Sequence, residues 1–127
     1  MNPIVTVFTA TYNRAHTLPL LFKSLQHQSD FRFEWIIVDD GSTDDTETLV
    51  KSWIKKSKNQ FKILYKHTKN RGKHCAINLG VQLASTDLFF IADSDDIVCS
   101  DAIKNIIQMN KTIKNGGKSA LLVLLVP

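Results

Sequence analysis

The chain has 127 residues, of which 43% are hydrophobic and 22% charged, with a formal net charge of +4. This is the composition of one ordinary globular domain, and it excludes a disordered or fibrous protein. The lysines and arginines are densest at residues 51–58 and 66–73. We interpret both runs as solvated faces, and neither by itself indicates a nucleic-acid partner.

The two cysteines, Cys75 and Cys99, are far apart, and neither belongs to a C-x-x-C motif. We therefore expect reduced thiols in a reducing compartment and no zinc site. The first residues show no signal peptide, and the apolar tail at residues 120–126 is too short to span a bilayer. These features predict a cytoplasmic protein, with the inner face of the cell membrane as the second candidate location.

Strands and helices are predicted to alternate along the chain. A helical pattern follows Thr17, its predicted N-cap, a second follows a capping box at Ser42-x-x-Asp45, and others follow the polar loop 66–73 and Asp101. Such alternation indicates βαβ units, hence an α/β domain whose mostly parallel, Rossmann-like sheet has helices on both faces. The predicted strands are residues 4–9, 35–38, 61–65, 88–92 and 120–126.

Residues 1–127 are expected to form a single domain. A final strand at residues 120–126 with no helix after it suggests that the domain is incomplete at this end. We therefore interpret the sequence as the N-terminal part of a longer protein.

An apolar stretch, Phe89–Ile91, leads into three carboxylates within four residues. If the segment is extended, Asp93 and Asp95 project to the same side, where two like charges repel unless a cation neutralises them. A divalent metal bound by oxygen atoms is one interpretation. The other is that Ser94 and Asp95 cap the following helix and that Asp93 sits in the turn.

Further polar groups are predicted at the carboxyl ends of the other strands, where open α/β sheets bind ligands. Each has two interpretations. Tyr12 stacks on a base or covers the first helix. Asp39 and Asp40 accept hydrogen bonds from a nucleoside or serve a turn. Arg71 and Lys73 bind phosphate, or they belong to a solvated loop.

No P-loop, G-x-G-x-x-G or G-x-S-x-G motif occurs in the sequence. Four other segments are present: T-Y-N-R at residues 11–14, I-V-D-D-G-S-T-D at 37–44, N-x-G-x5-N-x-G at 70–80 and D-S-D-D at 93–96. In their order and spacing they resemble the family 2 glycosyltransferases of the GT-A fold. The likeness extends to about residue 117, and the pair of acidic motifs is quite specific.

The resemblance implies a transferase that uses a nucleotide-sugar donor, usually a UDP-sugar, with Mg²⁺ or Mn²⁺ bridging the diphosphate to the D-x-D motif. One departure bears on the phosphate contact, because Lys73–Ile77 replaces a more usual pattern of small residues and arginine. The donor-binding residues carried over by position are Ala10, Thr11, Tyr12, Arg14, Asp39, Asp40, Arg71, Lys73, Asp93 and Ser94, and the metal ligands are Asp95, the main one, and Asp93.

The resemblance also implies transfer with inversion to an acceptor hydroxyl, on a saccharide or a lipid-linked molecule, and peripheral association with a membrane. The general base of such a reaction lies in the second half of the family's domain, beyond Pro127. An alternative from another class is a non-catalytic nucleotide-binding or interaction module that keeps the same fold.

Overall fold

The structure is a computed structural model, and it describes residues 2–113. Strands and helices alternate, as the sequence predicted. The predicted fifth strand, residues 120–126, lies outside the described residues. No helix in the described part of the chain is long and apolar enough to cross a membrane. The elements are β1 (Val5–Thr11), α1 (Leu18–Gln26), β2 (Phe33–Asp39), α2 (Thr46–Ser57), β3 (Lys62–His67), α3 (Lys73–Leu83), β4 (Leu88–Ile91) and α4 (Ala102–Ile113).

The four strands form one parallel sheet in the order β3-β2-β1-β4. The chain moves outward from β1 to β2 and β3, and then returns to place β4 on the other side of β1. The strand order therefore reverses at β1, and the loops that leave β1 and its two neighbours diverge there. A crevice at such a switch point, beyond the carboxyl ends of the strands, is where sheets of this type bind ligands.

Helices cover both faces of the sheet, as the sequence predicted, but unequally. Three helices, α1, α2 and α4, pack on one face, where Phe22, Trp35 and Trp53 form stacked rings. Helix α3 covers the other face, where its buried Ala76 joins the cluster around Phe8. Strands β1, β2 and β4 are therefore buried on both faces, whereas the edge strand β3 keeps Lys62, Lys66 and His67 exposed.

Two predicted helix caps differ in the structure. Helix α2 begins at Thr46 with Asp45 as its N-cap residue, so Ser42 does not cap it. The Ser42 hydroxyl instead accepts a hydrogen bond from the backbone N–H of Asn13, because residues 42–44 connect the β1–α1 and β2–α2 loops. Thr17 is the N-cap residue of α1, as predicted, but its hydroxyl donates to the backbone carbonyls of Arg14 and Ser94.

Helix α3 lies directly on β1 because residue 80 is glycine. A Cβ atom at Gly80 would stand 2.3 Å from two ring carbons of Phe8, far inside van der Waals contact. Gly80 therefore permits the close packing of α3 on β1. The N-terminal end of α3 is thereby held beside the carboxyl end of β1.

Candidate functional site

An open cleft of about 350 Å³ lies at the carboxyl end of β1, at the switch point of the sheet. The ends of β1 and β4, the loop after β2 and the start of α3 contribute its walls. Eight of the ten residues predicted to bind the donor line it, and so does the predicted metal ligand Asp95. Its lining residues are Ala10, Thr11, Tyr12, Arg14, Asp40, Lys73, Ala76, Asp93, Ser94 and Asp95.

The acidic side of the cleft follows β4. The Thr9 hydroxyl donates to the carbonyl of Ala92 at 2.8 Å, and the backbone N–H of Ala92 donates to the carbonyl of Phe8 at 2.9 Å. Both bonds extend the attachment of β4 to β1 by one residue beyond the end of the strand. The backbone just before Asp93 is therefore held in place at the cleft.

Residues 93–96 form a tight turn rather than the extended segment that the sequence argument assumed. The backbone N–H of Asp96 donates to the Asp93 carbonyl at 3.0 Å, and the Asp96 carboxylate accepts from the backbone N–H of Asp93 at 2.9 Å. The turn is attached to α1 through the bond from Thr17 to the Ser94 carbonyl at 3.0 Å. Ser94 itself is buried.

The turn brings three carboxylates together. One oxygen each of Asp93, Asp95 and Asp96 lies within 4.8 Å of the others. Like charges this close favour a cation, and carboxylate oxygens are the ligands that Mg²⁺ and Mn²⁺ take. Asp96 was not predicted as a ligand, although its place in the acidic stretch was the available signal. The alternative that Ser94 and Asp95 cap the next helix is wrong, because α4 begins only at Ala102, but its placement of Asp93 in the turn is confirmed.

The opposite wall is basic. Lys73 is the first residue of α3, a position where a cation is unfavourable for the helix because the N-terminal end already carries partial positive charge. Its ammonium group lies 3.5 Å from a carboxylate oxygen of Asp93, and both side chains are more than half exposed. An ion pair this exposed contributes little to stability. Lys73 can therefore leave Asp93 and bind another anion.

The hydroxyl of Thr11 distinguishes this cleft from a simple surface depression. Thr11 is 3% exposed, and its Oγ1 is the single buried side-chain polar atom in residues 2–113 that has no hydrogen-bond partner. A buried polar group without a protein partner is costly, so we expect a water molecule or a bound ligand to satisfy it. Tyr12, next along the chain, is 47% exposed and so has a ring face available for stacking.

Asp40 lies on the cleft and fastens the β3–α3 loop. Its carboxylate accepts hydrogen bonds from the backbone N–H groups of Arg71 at 2.7 Å and Gly72 at 3.0 Å. The turn that follows requires Gly41, whose φ is +91° and which approaches the backbone N of Asn70. Asp40 thus positions the residues that precede Lys73.

Two residues predicted to bind the donor do not line the cleft. Arg71 faces a second groove, between α3 and the loop that follows β3. Asp39 is fully buried, and its carboxylate accepts hydrogen bonds from the Tyr65 hydroxyl and, at 2.9 Å, from the backbone N–H of Ser42. In this arrangement Asp39 supports the loop that carries Asp40. Sequence spacing could not separate the two adjacent aspartates, because their difference depends on Tyr65.

Asn13 connects the first two loops, a role that the sequence argument missed. Its backbone is left-handed, with φ of 52°, a conformation that asparagine tolerates better than most residues. Its side-chain oxygen accepts hydrogen bonds from the backbone N–H groups of Thr43 at 2.8 Å and Asp44 at 3.3 Å. The two loops beside Tyr12 and Asp40 are therefore held as one unit.

We expect the hydrogen bond from the Tyr65 hydroxyl to Asp39 to make a pH-dependent contribution to stability. Burial, together with the hydrogen bond to Asp39 and the charge of that carboxylate, raises the pKa of Tyr65. A raised pKa means that the hydroxyl stabilises the fold below about pH 10, the usual tyrosine value, and that this contribution is lost as the pH rises above it.

Tyr65→Phe should lower the free energy of unfolding by about 2 kcal/mol at pH 7, because a buried carboxylate loses a donor. Urea titrations at pH 7 and above pH 10 should show the difference between Tyr65→Phe and the unaltered chain shrinking at the higher pH. Tyr12→Phe is the matched control and should show no such difference. A gap that is constant with pH would contradict the role given to the hydroxyl.

The geometry defines an α/β domain with its ligand site beyond the carboxyl ends of a parallel sheet. The profile of glycosyl transferase family 2 matches residues 6–117. The chain therefore belongs to glycosyl transferase family 2. Curated bacterial relatives are 29–39% identical to it, and the chain spans only 13–44% of their length.

One such relative is the GalNAc(5)-diNAcBac-PP-undecaprenol beta-1,3-glucosyltransferase of Campylobacter jejuni, 30% identical over 106 residues, which are 84% of this chain and 34% of the relative. Among solved structures, the TarS fragment 1–349 of S. aureus in complex with UDP is 26% identical with a TM-score of 0.77, covering 86% of this chain and 32% of that one.

The mannosyltransferase PcManGT of Pyrobaculum calidifontis, in complex with GDP-Man and Mn²⁺, is 28% identical with a TM-score of 0.68, covering 76% of this chain and 29% of that one. Together with TarS it shows that the fold is GT-A, as the sequence resemblance implied.

Proposed function

We propose that the cleft binds the nucleotide diphosphate of a sugar donor, with UDP as the nucleotide, and that the whole protein transfers the sugar to an acceptor hydroxyl with inversion. One observation carries the proposal: the acidic turn, the cationic start of α3 and the unpartnered Thr11 hydroxyl converge on one cleft. The UDP complex of the similar TarS fragment supports the choice of nucleotide.

The carboxylates fit a divalent metal in number, chemistry and separation. We propose that Asp95 and Asp93 hold Mn²⁺ or Mg²⁺, and that Asp96 contributes a third oxygen or fixes the turn. When bound, the ion neutralises charge that builds on the departing diphosphate. The Mn²⁺ in the similar PcManGT structure supports a metal of this type.

The remaining residues bind and orient the donor. Lys73 and the N-terminal end of α3 attract the diphosphate, and the Thr11 hydroxyl supplies a hydrogen bond at the floor of the cleft. Tyr12 stacks on the base, with Ala10, Arg14, Asp40 and Ser94 around it or near the ribose. For Asp39 we retain only an indirect role, through the loop of Asp40.

Inverting transfer needs a general base that takes the proton of the acceptor hydroxyl. The carboxylates on this cleft are already engaged: Asp93, Asp95 and Asp96 belong to the acidic cluster, and Asp40 accepts two backbone bonds. We therefore place the base outside residues 2–113. The acceptor, a saccharide or a lipid-linked molecule, is part of the same proposal.

UDP binding measured by isothermal titration calorimetry tests the donor site. We expect binding in the presence of Mn²⁺ or Mg²⁺ and its loss when EDTA is added, because without a cation the diphosphate faces three carboxylates. Equal affinity with and without EDTA, or no binding by a well-folded chain, would contradict the proposal. Transfer from UDP-sugars by the whole protein would separately exclude the non-catalytic alternative.

A further inference from the structure

The charges of this chain are strongly segregated. Residues 48–86 contain nine of its 16 lysines and arginines and neither aspartate nor glutamate. The remainder of the chain is therefore acidic on balance, although the total charge is +4. The segment comprises most of α2, all of β3 and α3, and the loops between them.

The fold places this segment on one side of the domain. In the sheet order β3-β2-β1-β4, β3 is an edge strand of the described residues, and it pairs with β2 alone. Helix α2 packs on β3 through Val50 and Trp53, whereas α3 lies further inward, over β2 and β1. The exposed lysines of this side, named here the basic edge, are Lys55, Lys56, Lys58, Lys62, Lys66 and Lys69.

None of the six forms an ion pair with any residue in the range 2–113, in contrast to Lys51, which pairs with Glu47. Lysine on an edge strand is a common guard against aggregation. That role needs one or two cations at the strand itself. Here the cations continue from the end of α2, past both ends of β3, and into the next loop.

The residue types favour a diffuse anionic surface over a nucleic acid. All six cations are lysines, which act as point charges, whereas shaped phosphate recognition commonly uses the planar fork of arginine. The large exposed hydrophobic side chains of residues 2–113 include one aromatic residue, Tyr12, and it lies in the cleft rather than on the basic edge. Stacking platforms of the kind that bind single strands are therefore missing from this edge of the described structure.

A groove beside the edge adds an apolar component. It has a volume of about 480 Å³ and lies between α3 and the loop that follows β3, with Val38 of β2, Ala76 and Leu79 among its lining residues and Lys69 and Arg71 at its polar side. Cations beside an apolar recess match a phospholipid surface, which offers phosphate groups above acyl chains.

We propose that the basic edge binds the anionic surface of a phospholipid bilayer. Clusters of four to eight lysines or arginines attract such surfaces, and the attraction falls off within a Debye length. Membrane contact at this edge leaves the cleft accessible, because the lysines of the edge do not line it. The proposal is independent of the proposed function, since vesicle binding requires neither nucleotide nor metal.

Cosedimentation of the chain with vesicles tests the proposal. Vesicles of phosphatidylcholine alone are compared with vesicles that contain phosphatidylglycerol, at low and at physiological salt. We expect binding to the anionic vesicles only, weakening as salt increases. Absence of binding to anionic vesicles at low salt would overturn the proposal and leave the lysines as an aggregation guard.

A matched pair of variants locates the contact. Lys55→Gln/Lys58→Gln/Lys62→Gln should weaken binding on the order of 100-fold, since each lysine near an anionic surface contributes a several-fold factor. Lys23→Gln/Lys104→Gln/Lys111→Gln changes the net charge equally, at exposed positions on α1 and α4, and should bind as the unaltered chain does. Equal losses in both triples would overturn the assignment to this edge.

Two further measurements complete the test. Thermal unfolding of both triples should be unchanged, because all six substituted side chains are exposed. An RNA duplex is offered in competition with the vesicles at the same salt. If the duplex binds more tightly than the anionic vesicles, the edge is a nucleic-acid surface and the membrane proposal is wrong.

Discussion

Asp95→Asn is expected to weaken metal-dependent UDP binding on the order of 100-fold, at least as much as loss of a residue that only orients a metal ligand. Asp95 is an exposed member of the acidic cluster, and its loss removes one charged oxygen from a set whose members lie within 4.8 Å. Asparagine keeps the size of the side chain and one oxygen. The effect therefore reports charge and ligand strength, and the fold should be unaltered.

Calorimetric titration of UDP at fixed Mn²⁺ measures this effect. Asp45→Asn is the matched control, because Asp45 is also exposed but makes no side-chain capping bond and lies outside the cleft. The control should bind UDP as the unaltered chain does. If Asp95→Asn binds UDP and Mn²⁺ normally, the metal is held elsewhere and the assignment of the acidic turn is wrong.

Asp93→Asn has a second consequence that separates it from Asp95→Asn. Asp93 contributes to the cluster and also forms the exposed ion pair with Lys73. Its substitution removes a metal ligand but also releases Lys73 toward the diphosphate. Metal affinity should therefore fall, whereas residual metal-independent UDP binding should be stronger than in Asp95→Asn.

The sequence was sufficient for the order of the elements because each has a local signal. Strands β1, β2 and β4 are mostly apolar runs that the fold buries on two sides, and α1 and α4 show apolar residues at helical spacing. The place of the polar side chains was also predictable, because parallel strands bring their carboxyl ends to one edge of the sheet. Most predicted donor residues therefore line one cleft.

What the sequence could not supply are the contacts between loops. Asp39 and Asp40 are adjacent and chemically identical, yet one is buried against Tyr65 and the other holds the backbone of residues 71 and 72. Asp96 joins the acidic cluster because the turn closes on itself through its carboxylate. Such differences depend on partners distant in sequence or on turn geometry, and no spacing rule encodes them.

Gly80→Ala is expected to destabilise the domain by about 3 kcal/mol, the upper part of the range for overpacking a close-packed core. The sign of the effect is informative. At an exposed position within a helix, replacing glycine by alanine stabilises by about 1 kcal/mol. At Gly80 the added methyl group would lie 2.3 Å from the Phe8 ring, which is fully buried and stacked on Phe89 at 5.4 Å between ring centroids.

Urea unfolding of Gly80→Ala measures the loss, with Gln82→Ala, at an exposed position of the same helix, as the control that should be nearly neutral. Phe8→Leu/Gly80→Ala should recover part of the loss relative to the sum of the single variants, because the smaller side chain relieves the contact. A stabilising Gly80→Ala would show that α3 does not lie as close to β1 as described. Gly80→Ala should also weaken UDP binding, because α3 begins at Lys73 and an outward displacement of the helix would move this residue away from the cleft. The packing of Gly80 thus determines the position of the basic wall of the cleft.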